Sequence, residues 1–376
     1  MGTKPNVGIL SMQRVRNSGS FLQAYGLQHV LQQLGGQVQF VDFQQEQEAS
    51  GFRQKLKKAC PTLWSAARWG KSVLQGQGKA ARETLRATEE FERRYDAEFF
   101  PLLSPDAGWN LCPSLDLLVI GSDEVFNCAQ YADAGMEIPW RLYGEENQAK
   151  QTVSYAACFG ATTLDDLKRL GIRQKAESLL REFSRISVRD QNSYDIVKEL
   201  TGKEPELHID PVLLHSFSEI ELARPEPFDY ILVYAYNNRL SAQEAEQIRR
   251  FADKMGKRLL CVNNYQDFCE EKRVASPLKV LSYFRYADYV VTDTFHGSVL
   301  SIKYNRPFGA FIRASNRQKM SFLLNQFGLL SRGIDSPERL HEVLESPIEY
   351  QPVNATLHKE QEKAMQYLSD CVDTVK

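Results

Sequence analysis

The sequence predicts an α/β protein made of two Rossmann-like domains, and three observations indicate this class. Short runs rich in β-branched and aromatic residues alternate with segments in which apolar residues recur at helical spacing. The alternation stops at a stretch with two prolines, residues 215–228, and then begins again. The chain has 376 residues, whereas single domains usually have about 100 to 200. Two such domains in tandem imply a cleft between them, where ligands commonly bind.

The composition is ordinary for a globular enzyme and narrows the choice of partners. Apolar residues make up 43% of the chain and charged residues 25%, close to typical values. The 46 basic and 48 acidic residues leave a net charge of −2, which does not indicate nucleic acid as a partner. The seven cysteines are scattered and form no Cys-x-x-Cys pair, which is typical of a reducing compartment and predicts no metal site. We expect a cytoplasmic protein, with the inner face of the membrane as an alternative location.

The first domain is predicted to cover residues 1–220 and to begin with a β-α-β unit. A strand at residues 7–10 precedes a polar loop and a helix, and a second strand follows at residues 38–41. The loop lies beyond the carboxyl end of the first strand, where open α/β sheets bind ligands. It lacks Gly-x-Gly-x-x-Gly, so the dinucleotide fingerprint is absent. It ends in four residues that suit helix capping and ligand contact equally well: Asn17, Ser18, Gly19 and Ser20.

Residues 44–100 are predicted to form a helical, polar insertion in the first domain. Between residues 53 and 94, 11 Lys and Arg residues accompany 4 Glu residues, and Trp64 and Trp69 lie in the same stretch. A basic helical segment with tryptophans can rest on anionic lipid headgroups or meet a charged lipid-linked substrate. The alternative is a solvated hairpin folded over one domain, which the composition favours. Peripheral membrane contact through residues 53–94 is therefore one of two interpretations of this segment.

Two further strands of the first domain are predicted to end in polar residues at the same edge of the sheet. The apolar run 115–120 leads into Ser122 and Asp123, and a carboxylate there can orient sugar hydroxyls or act as a base. The run 185–188 leads into Arg189, whose guanidinium can hold a carboxylate or phosphate through two hydrogen bonds. Each residue has a structural alternative, since an aspartate can cap a loop and the arginine can pair with its acidic neighbour.

The second domain, predicted at residues 221–345, contains the most informative stretch of the chain. Residues 287–298 predict a buried strand, a tight turn and the start of a helix. Thr294 or Asp293 suits the N-cap position. His296 then falls in the first helical turn, where unpaired backbone N–H groups and about half a positive charge favour an anion. A capping turn with a solvated histidine is the structural alternative.

The chain after this helix predicts a further strand, a basic loop and terminal helices. The loop follows a strand that ends at Ile312, and its basic and amide side chains are predicted to point into the cleft or, alternatively, into solvent. These residues are Arg313, Asn316, Arg317 and Lys319. The last segment, residues 346–376, predicts a helix from about Leu357 to Val372, which we expect to pack back on the first domain.

Six stretches, in this order along the chain, resemble motifs of the polysaccharide pyruvyl transferase family. They are Asn17–Tyr25, Gly121–Asn127, Ser154–Gly160, Ser187–Asp190, Asp210-Pro211 and Thr292–Gly297. Each motif is short, but the set is specific. Four positions differ from the residues that are common in the family: Ser18, Glu124, Phe126 and Thr294. The first three touch the presumed acceptor side, so the resemblance does not name the acceptor sugar.

The resemblance implies a glycosyltransferase-B-like pair of Rossmann domains and a transfer reaction without a cofactor. The donor would be phosphoenolpyruvate, held by the second domain. The acceptor would be a sugar of a cell-surface polysaccharide or its lipid-linked precursor, and the product a pyruvate ketal. His296, Arg189 and Asp123 are the implied catalytic residues, with His296 as general acid or as phosphate ligand. The implied substrate-binding residues are Arg317, Thr294, Gly297, Ser298, Asn17, Ser18, Gly19, Ser20 and Ser122.

Two other functions are compatible with the same residues. A transferase that uses a nucleotide-sugar donor would also place a diphosphate at a helix N-terminus, and titration with nucleotide sugars would identify it. A non-catalytic glycan-binding relative would keep the scaffold and bind without turnover. The presence of Arg189, His296 and Asp123 favours an enzyme over this second alternative.

Overall fold

The computed structural model describes residues 4–44, 78–104, 108–111 and 113–376. Trp64, Trp69 and the part of the insertion before residue 78 lie outside these ranges. The predicted membrane contact of residues 53–94 therefore falls mostly outside the described residues. Within the described ranges, every helix falls short of the combined length and apolar character that a membrane crossing requires.

The first half of the chain forms a six-stranded sheet in which neighbouring strands are parallel. Its strands are β1 (Asn6–Leu10), β2 (Gln37–Val41), β3 (Leu115–Asp123), β4 (Ala149–Ala157), β5 (Ser187–Val188) and β6 (Glu206–Leu207). They lie in the order β2-β1-β3-β4-β5-β6. The direction of winding changes between β1 and β3, and a crevice opens beyond the carboxyl ends of the strands at such a point. The loops after β1 and β3 therefore flank the first crevice.

The described helices of this half connect the strands and cover the sheet. They are α1 (Ser18–Gln33), α2 (Gly78–Arg94), α3 (Cys128–Asp133), α4 (Leu164–Arg169), α5 (Arg173–Arg181), α6 (Gln191–Thr201) and α7 (Pro211–Leu214). A π-helical turn, Tyr95–Phe99, and a 3₁₀ turn, Phe100–Leu102, extend α2, and a further 3₁₀ turn lies at Trp140–Tyr143. Apolar residues recur at helical spacing from residue 164 to residue 183, which predicts one helix, but the segment forms two helices, α4 and α5. Gly171 has φ +69° between α4 and α5, and this left-handed conformation ends a helix.

The second half forms another six-stranded parallel sheet. Its strands are β7 (Tyr230–Tyr234), β8 (Arg258–Val262), β9 (Glu271–Arg273), β10 (Tyr289–Thr292), β11 (Phe308–Phe311) and β12 (Gly333–Ile334). Their order, β12-β11-β10-β7-β8-β9, is that of a Rossmann fold and reverses between β7 and β10. The sequence did not predict β9 or β12, because β9 consists of charged residues and β12 has only two.

The helices of the second half complete the fold. They are α8 (Ala242–Met255), α9 (Pro277–Tyr286), α10 (Phe295–Lys303), α11 (Arg317–Gln326), α12 (Leu340–Glu345) and α13 (Tyr350–Asp373), with 3₁₀ turns at Leu330–Arg332 and Pro337–Arg339. Helix α13 begins earlier than the predicted Leu357, because Pro352 lies in its first turn, where a missing N–H is tolerated.

The two halves of the chain pack against each other. Helix α13 extends from the second half and packs against the first. Tyr367 Oη donates a hydrogen bond of 2.8 Å to the Ser154 carbonyl oxygen at β4. One buried apolar cluster contains residues of both halves, among them Phe21 of α1 and Val299 of α10. This shared core fixes one sheet relative to the other. Two Rossmann-like domains joined in this way form the glycosyltransferase-B-like fold that the resemblance implies.

Candidate active site

A cavity of about 190 Å³ lies where the crevices of the two sheets meet. Its walls come from residues that follow strands at the winding reversals. Asn17 and Ser20 follow β1, and Asp123 ends β3. Tyr234 ends β7, and His296 follows β10. The switch points of both sheets therefore open into one cavity, which is where ligand sites occur in this class of fold.

His296 lies between the N-termini of two helices. The Thr294 hydroxyl accepts a 2.9 Å hydrogen bond from Gly297 N, so Thr294 rather than Asp293 caps α10. Asn17 caps α1 in the same way, with Oδ1 accepting from Gly19 N at 2.7 Å. A Cβ added at Gly19 would lie 2.3 Å from His296 Nδ1, so the imidazole rests directly on the α1 backbone. Both helix ends contribute partial positive charge beside the ring.

The buried carboxylate of Asp210 lies next to the imidazole of His296. Asp210 Oδ2 is 3.6 Å from His296 Nε2 and 2.5 Å from Arg189 Nη1, while Oδ1 accepts from Val212 N at 3.0 Å and caps α7. Burial raises the pKa of Asp210, but His296 and Arg189 outweigh it, so the pKa lies well below its usual range. Asp210 is therefore ionised. Asp210 was not among the predicted site residues, although Asp210-Pro211 is one of the six motif stretches.

Arg189 lies behind the cavity wall rather than on it. Its side chain is 3% exposed, and Nη2 is 3.4 Å from Asp123 Oδ1. Its guanidinium stacks 4.2 Å from the centre of the Phe295 ring. Burial lowers the pKa of Arg189, but Cys158 and the surrounding aspartates outweigh it and raise the pKa. The predicted alternative partner, Asp190, instead caps α6 by accepting from Ser193 N at 2.8 Å.

Asp123 reaches the cavity from a strained position. Its φ is +73°, a left-handed conformation that is rare for residues other than glycine and that clusters at functional sites. Oδ2 accepts a 2.9 Å hydrogen bond from Ser20 Oγ, which links the loops after β1 and β3. Burial raises the pKa of Asp123, but Arg189, His296 and Lys319 together lower it below its usual range. The cavity lining therefore contains an ionised carboxylate as well as His296.

The basic residue after β11 that lines the cavity is Lys319, not Arg317. Both lie in the first turn of α11, two residues and thus about 200° apart on the helix surface, and Arg317 is exposed. Lys319 Nζ forms an ion pair with Glu124, which also lines the cavity. Burial lowers the pKa of Lys319, but Glu124 outweighs it and raises the pKa. Arg313 instead pairs with Glu244 at 2.7 Å.

The remaining predicted substrate-binding residues hold the backbone around the cavity. Ser122 is fully buried, and its hydroxyl accepts from Asp123 N at 2.6 Å. Ser18 accepts from Asn263 Nδ2 at 3.0 Å. Gly297 is needed for close packing, since an added Cβ would lie 2.0 Å from Thr292 Oγ1. The side chain of Ser298 is buried. Asn17, Ser20 and Thr294 are the members of the predicted set that line the cavity.

The family model for polysaccharide pyruvyl transferase matches residues 17–315. No curated protein matches the chain in sequence. Similar structures include the glycotransferase of kitacinnamycin, with 10% identity, 100% of both chains covered and a TM-score of 0.47. Arabidopsis thaliana UGT89C1 complexed with quercetin has 12% identity over 99% of this chain and 100% of its own, with a TM-score of 0.47.

Proposed function

Because this chain belongs to the polysaccharide pyruvyl transferase family, we propose that it transfers the pyruvyl group of phosphoenolpyruvate to a sugar. The acceptor sugar belongs to a cell-surface polysaccharide or to its lipid-linked precursor. The product is a pyruvate ketal that bridges two hydroxyls, and phosphate is released. The observation that carries the proposal is the position of His296 on the cavity, between two helix N-termini and in a lining that also contains Asp123.

The cavity suits a small, highly charged donor. Helix N-termini bind phosphate and carboxylate through backbone N–H groups and their partial charge. Lys319 adds a full charge, and both it and its partner Glu124 line the cavity. An entering anion can therefore replace Glu124 as the partner of Lys319. Arg189 and Asp210, which are buried together, keep their pairing while this exchange takes place.

In the proposed mechanism, His296 donates a proton and Asp123 accepts one. His296 gives a proton to the methylene carbon of phosphoenolpyruvate, which becomes a methyl group and leaves an oxocarbenium-like centre at C2. One sugar hydroxyl bonds to C2 and gives its proton to Asp123. The bond between C2 and the phosphate oxygen then breaks, and the second hydroxyl closes the ketal. The proton on Asp123 leaves with phosphate, and the proton of the second hydroxyl restores His296.

Phosphate release from phosphoenolpyruvate is the direct test. We expect release that depends on a sugar acceptor, with a mass gain in the acceptor that matches a pyruvate ketal. The panel should contain lipid-linked and aryl galactosides, glucosides and mannosides. Tight binding of a uridine or guanosine diphosphate sugar, with no binding of phosphoenolpyruvate, would instead identify a nucleotide-sugar transferase. Binding of both substrates without turnover would identify a non-catalytic relative.

Lys319 and Arg317 offer a matched pair for locating the donor. Lys319→Gln is expected to weaken phosphoenolpyruvate binding at least about tenfold, because a hydrogen bond to a charged group contributes about 1.5–3 kcal/mol and 1.4 kcal/mol is about a factor of ten. Arg317→Gln removes the same charge from the exposed side of the same helical turn, so we expect an affinity within about twofold of the wild type. Isothermal titration calorimetry measures both. Equal losses in the two variants would place the donor elsewhere.

A further inference from the structure

A second cavity, of about 120 Å³, lies beside the first, and its lining is of a different kind. The two cavities share Asn17 and Asn264, so they are adjacent. The charged residues of the second lining are Arg16 and Glu92, which form a 3.1 Å ion pair with each other. The other lining groups are amides, hydroxyls and the ring of Phe91. Among the described residues, this lining is therefore polar and its two charged side chains pair with each other, whereas the first lining contains Asp123, Glu124 and Lys319 together with His296.

Helix α2, the described part of the insertion, forms one wall of the second cavity through Thr88 and its neighbours. It also bridges the two halves of the protein. Thr84 Oγ1 donates a 2.7 Å hydrogen bond to Asp267 Oδ1 in the second half, and Thr88 Oγ1 accepts from Asn237 Nδ2 at 3.3 Å. The ion pair between Arg16 and Glu92 attaches the same helix to the first half. The cleft is thus closed at this end by α2.

We propose that the second cavity binds a neutral sugar residue of the acceptor, next to the anion in the first cavity. The inference rests on the proposed function for the reaction that this sugar undergoes. Sugar hydroxyls both donate and accept hydrogen bonds, and so do amide and hydroxyl side chains. The lining combines such groups with one aromatic ring, Phe91. In this arrangement the first cavity holds the trianionic donor, and the second cavity holds an uncharged sugar ring with several hydroxyls.

The amides that line the cavity are not equivalent. Asn263 is fully used by the protein, because its Nδ2 donates to the Ala275 carbonyl and its Oδ1 accepts from Ala275 N, each at 2.9 Å. The described hydrogen bond of Asn17 uses only Oδ1, so the hydrogens on Nδ2 remain for a ligand. Asn17 lies on the wall between the two cavities. A sugar hydroxyl held there would lie between the neutral cavity and the donor.

The charge at the cavity mouth disfavours an acidic sugar. Arg16 Nε donates a 3.0 Å hydrogen bond to Asp96 Oδ1, in addition to the ion pair with Glu92. The guanidinium of this lining is therefore already paired with two carboxylates of the protein. A carboxylate on the ligand would have to displace one of them, so a neutral ring is the better match.

Filling the second cavity from α2 tests the inference without touching the donor site. Thr88→Phe places a ring in the cavity, and Leu85→Phe enlarges a side chain that is 54% exposed on the same helix. Calorimetry should compare phosphoenolpyruvate with p-nitrophenyl β-galactoside, β-glucoside and α-mannoside on both variants. We expect Thr88→Phe to weaken binding of the preferred glycoside at least about tenfold by steric exclusion, and to change phosphoenolpyruvate affinity by less than about twofold. Leu85→Phe should change neither affinity.

The outcomes separate this inference from the proposed function. Equal glycoside affinity in both variants overturns the inference, and so does failure of the wild type to bind any glycoside of the panel while it binds phosphoenolpyruvate. Glycoside binding that is lost in Thr88→Phe, in a protein that does not bind phosphoenolpyruvate, supports the sugar site and overturns the donor. If Thr88→Phe does not fold, Thr88→Val keeps the side-chain shape and removes the hydroxyl, and an approximately fivefold weaker glycoside affinity is expected.

Discussion

Replacing His296 with alanine is expected to lower kcat for acceptor-dependent phosphate release by about 10²–10⁴-fold, the usual contribution of a general acid. The ring lies on the cavity wall, and Asp210 behind it offsets the positive charge that the ring carries while protonated. Its surroundings also hold it in place, because Gly19 leaves no space on one side. The measurement is steady-state turnover at saturating phosphoenolpyruvate and acceptor.

A glutamine at the same position separates the two roles that the sequence left open. His296→Gln keeps a hydrogen-bond donor but cannot deliver a proton to carbon. If His296 is the acid, kcat falls as far as in His296→Ala, while the KM for phosphoenolpyruvate changes little. If His296 only binds phosphate, glutamine restores much of the activity and the loss in alanine appears mainly in KM. A near-normal kcat in His296→Gln would contradict the acid assignment.

The parts of the site that the sequence predicted share one property, which is their place at the carboxyl end of a strand. Asp123 and His296 each follow a clear apolar run, so chain order alone places them at the ligand-binding edge of a sheet. Asp210 lies three residues beyond β6, which has only two residues. Asp210-Pro211 matched a family motif, but no clear apolar run marked Asp210 as a residue at the end of a strand. Its pairing with Arg189 also explains why that arginine is buried instead of lining the cavity.

Other features depend on details that no sequence pattern fixes. The choice between Arg317 and Lys319 follows from the residue at which α11 begins, and helix starts are the least certain part of a sequence-based assignment. The wall formed by α2 depends on a hydrogen bond between Thr84 and Asp267, which are 183 residues apart in the chain. The composition of the insertion that contains α2 indicated either a solvated hairpin or a segment in contact with a membrane surface. Neither interpretation predicted a helix that bridges both domains over a polar cavity.

Asp210→Asn is expected to lower turnover roughly 10–100-fold, the usual effect of removing a carboxylate that supports a functional histidine. It is also expected to destabilise the protein by about 3 kcal/mol, because Arg189 then keeps a buried charge and loses its 2.5 Å ion pair, with the 3.4 Å pair to Asp123 remaining. Asn still accepts the capping hydrogen bond from Val212 N, so α7 should persist. Activity and thermal unfolding together measure these effects.

A double-mutant comparison distinguishes positioning of His296 from a merely structural role of Asp210. Asp210 Oδ2 lies 3.6 Å from His296 Nε2, so a carboxylate that acts through the ring loses its effect on turnover when the ring is absent. We expect Asp210→Asn to lower kcat in the wild type but to change it by less than about twofold in a His296→Ala background. The control is Asp190→Asn, which alters another buried aspartate that caps a helix and lies next in sequence to Arg189. We expect its effect on kcat to be the same in both backgrounds. A loss from Asp210→Asn that is equally large in His296→Ala would mean that Asp210 serves only to neutralise Arg189.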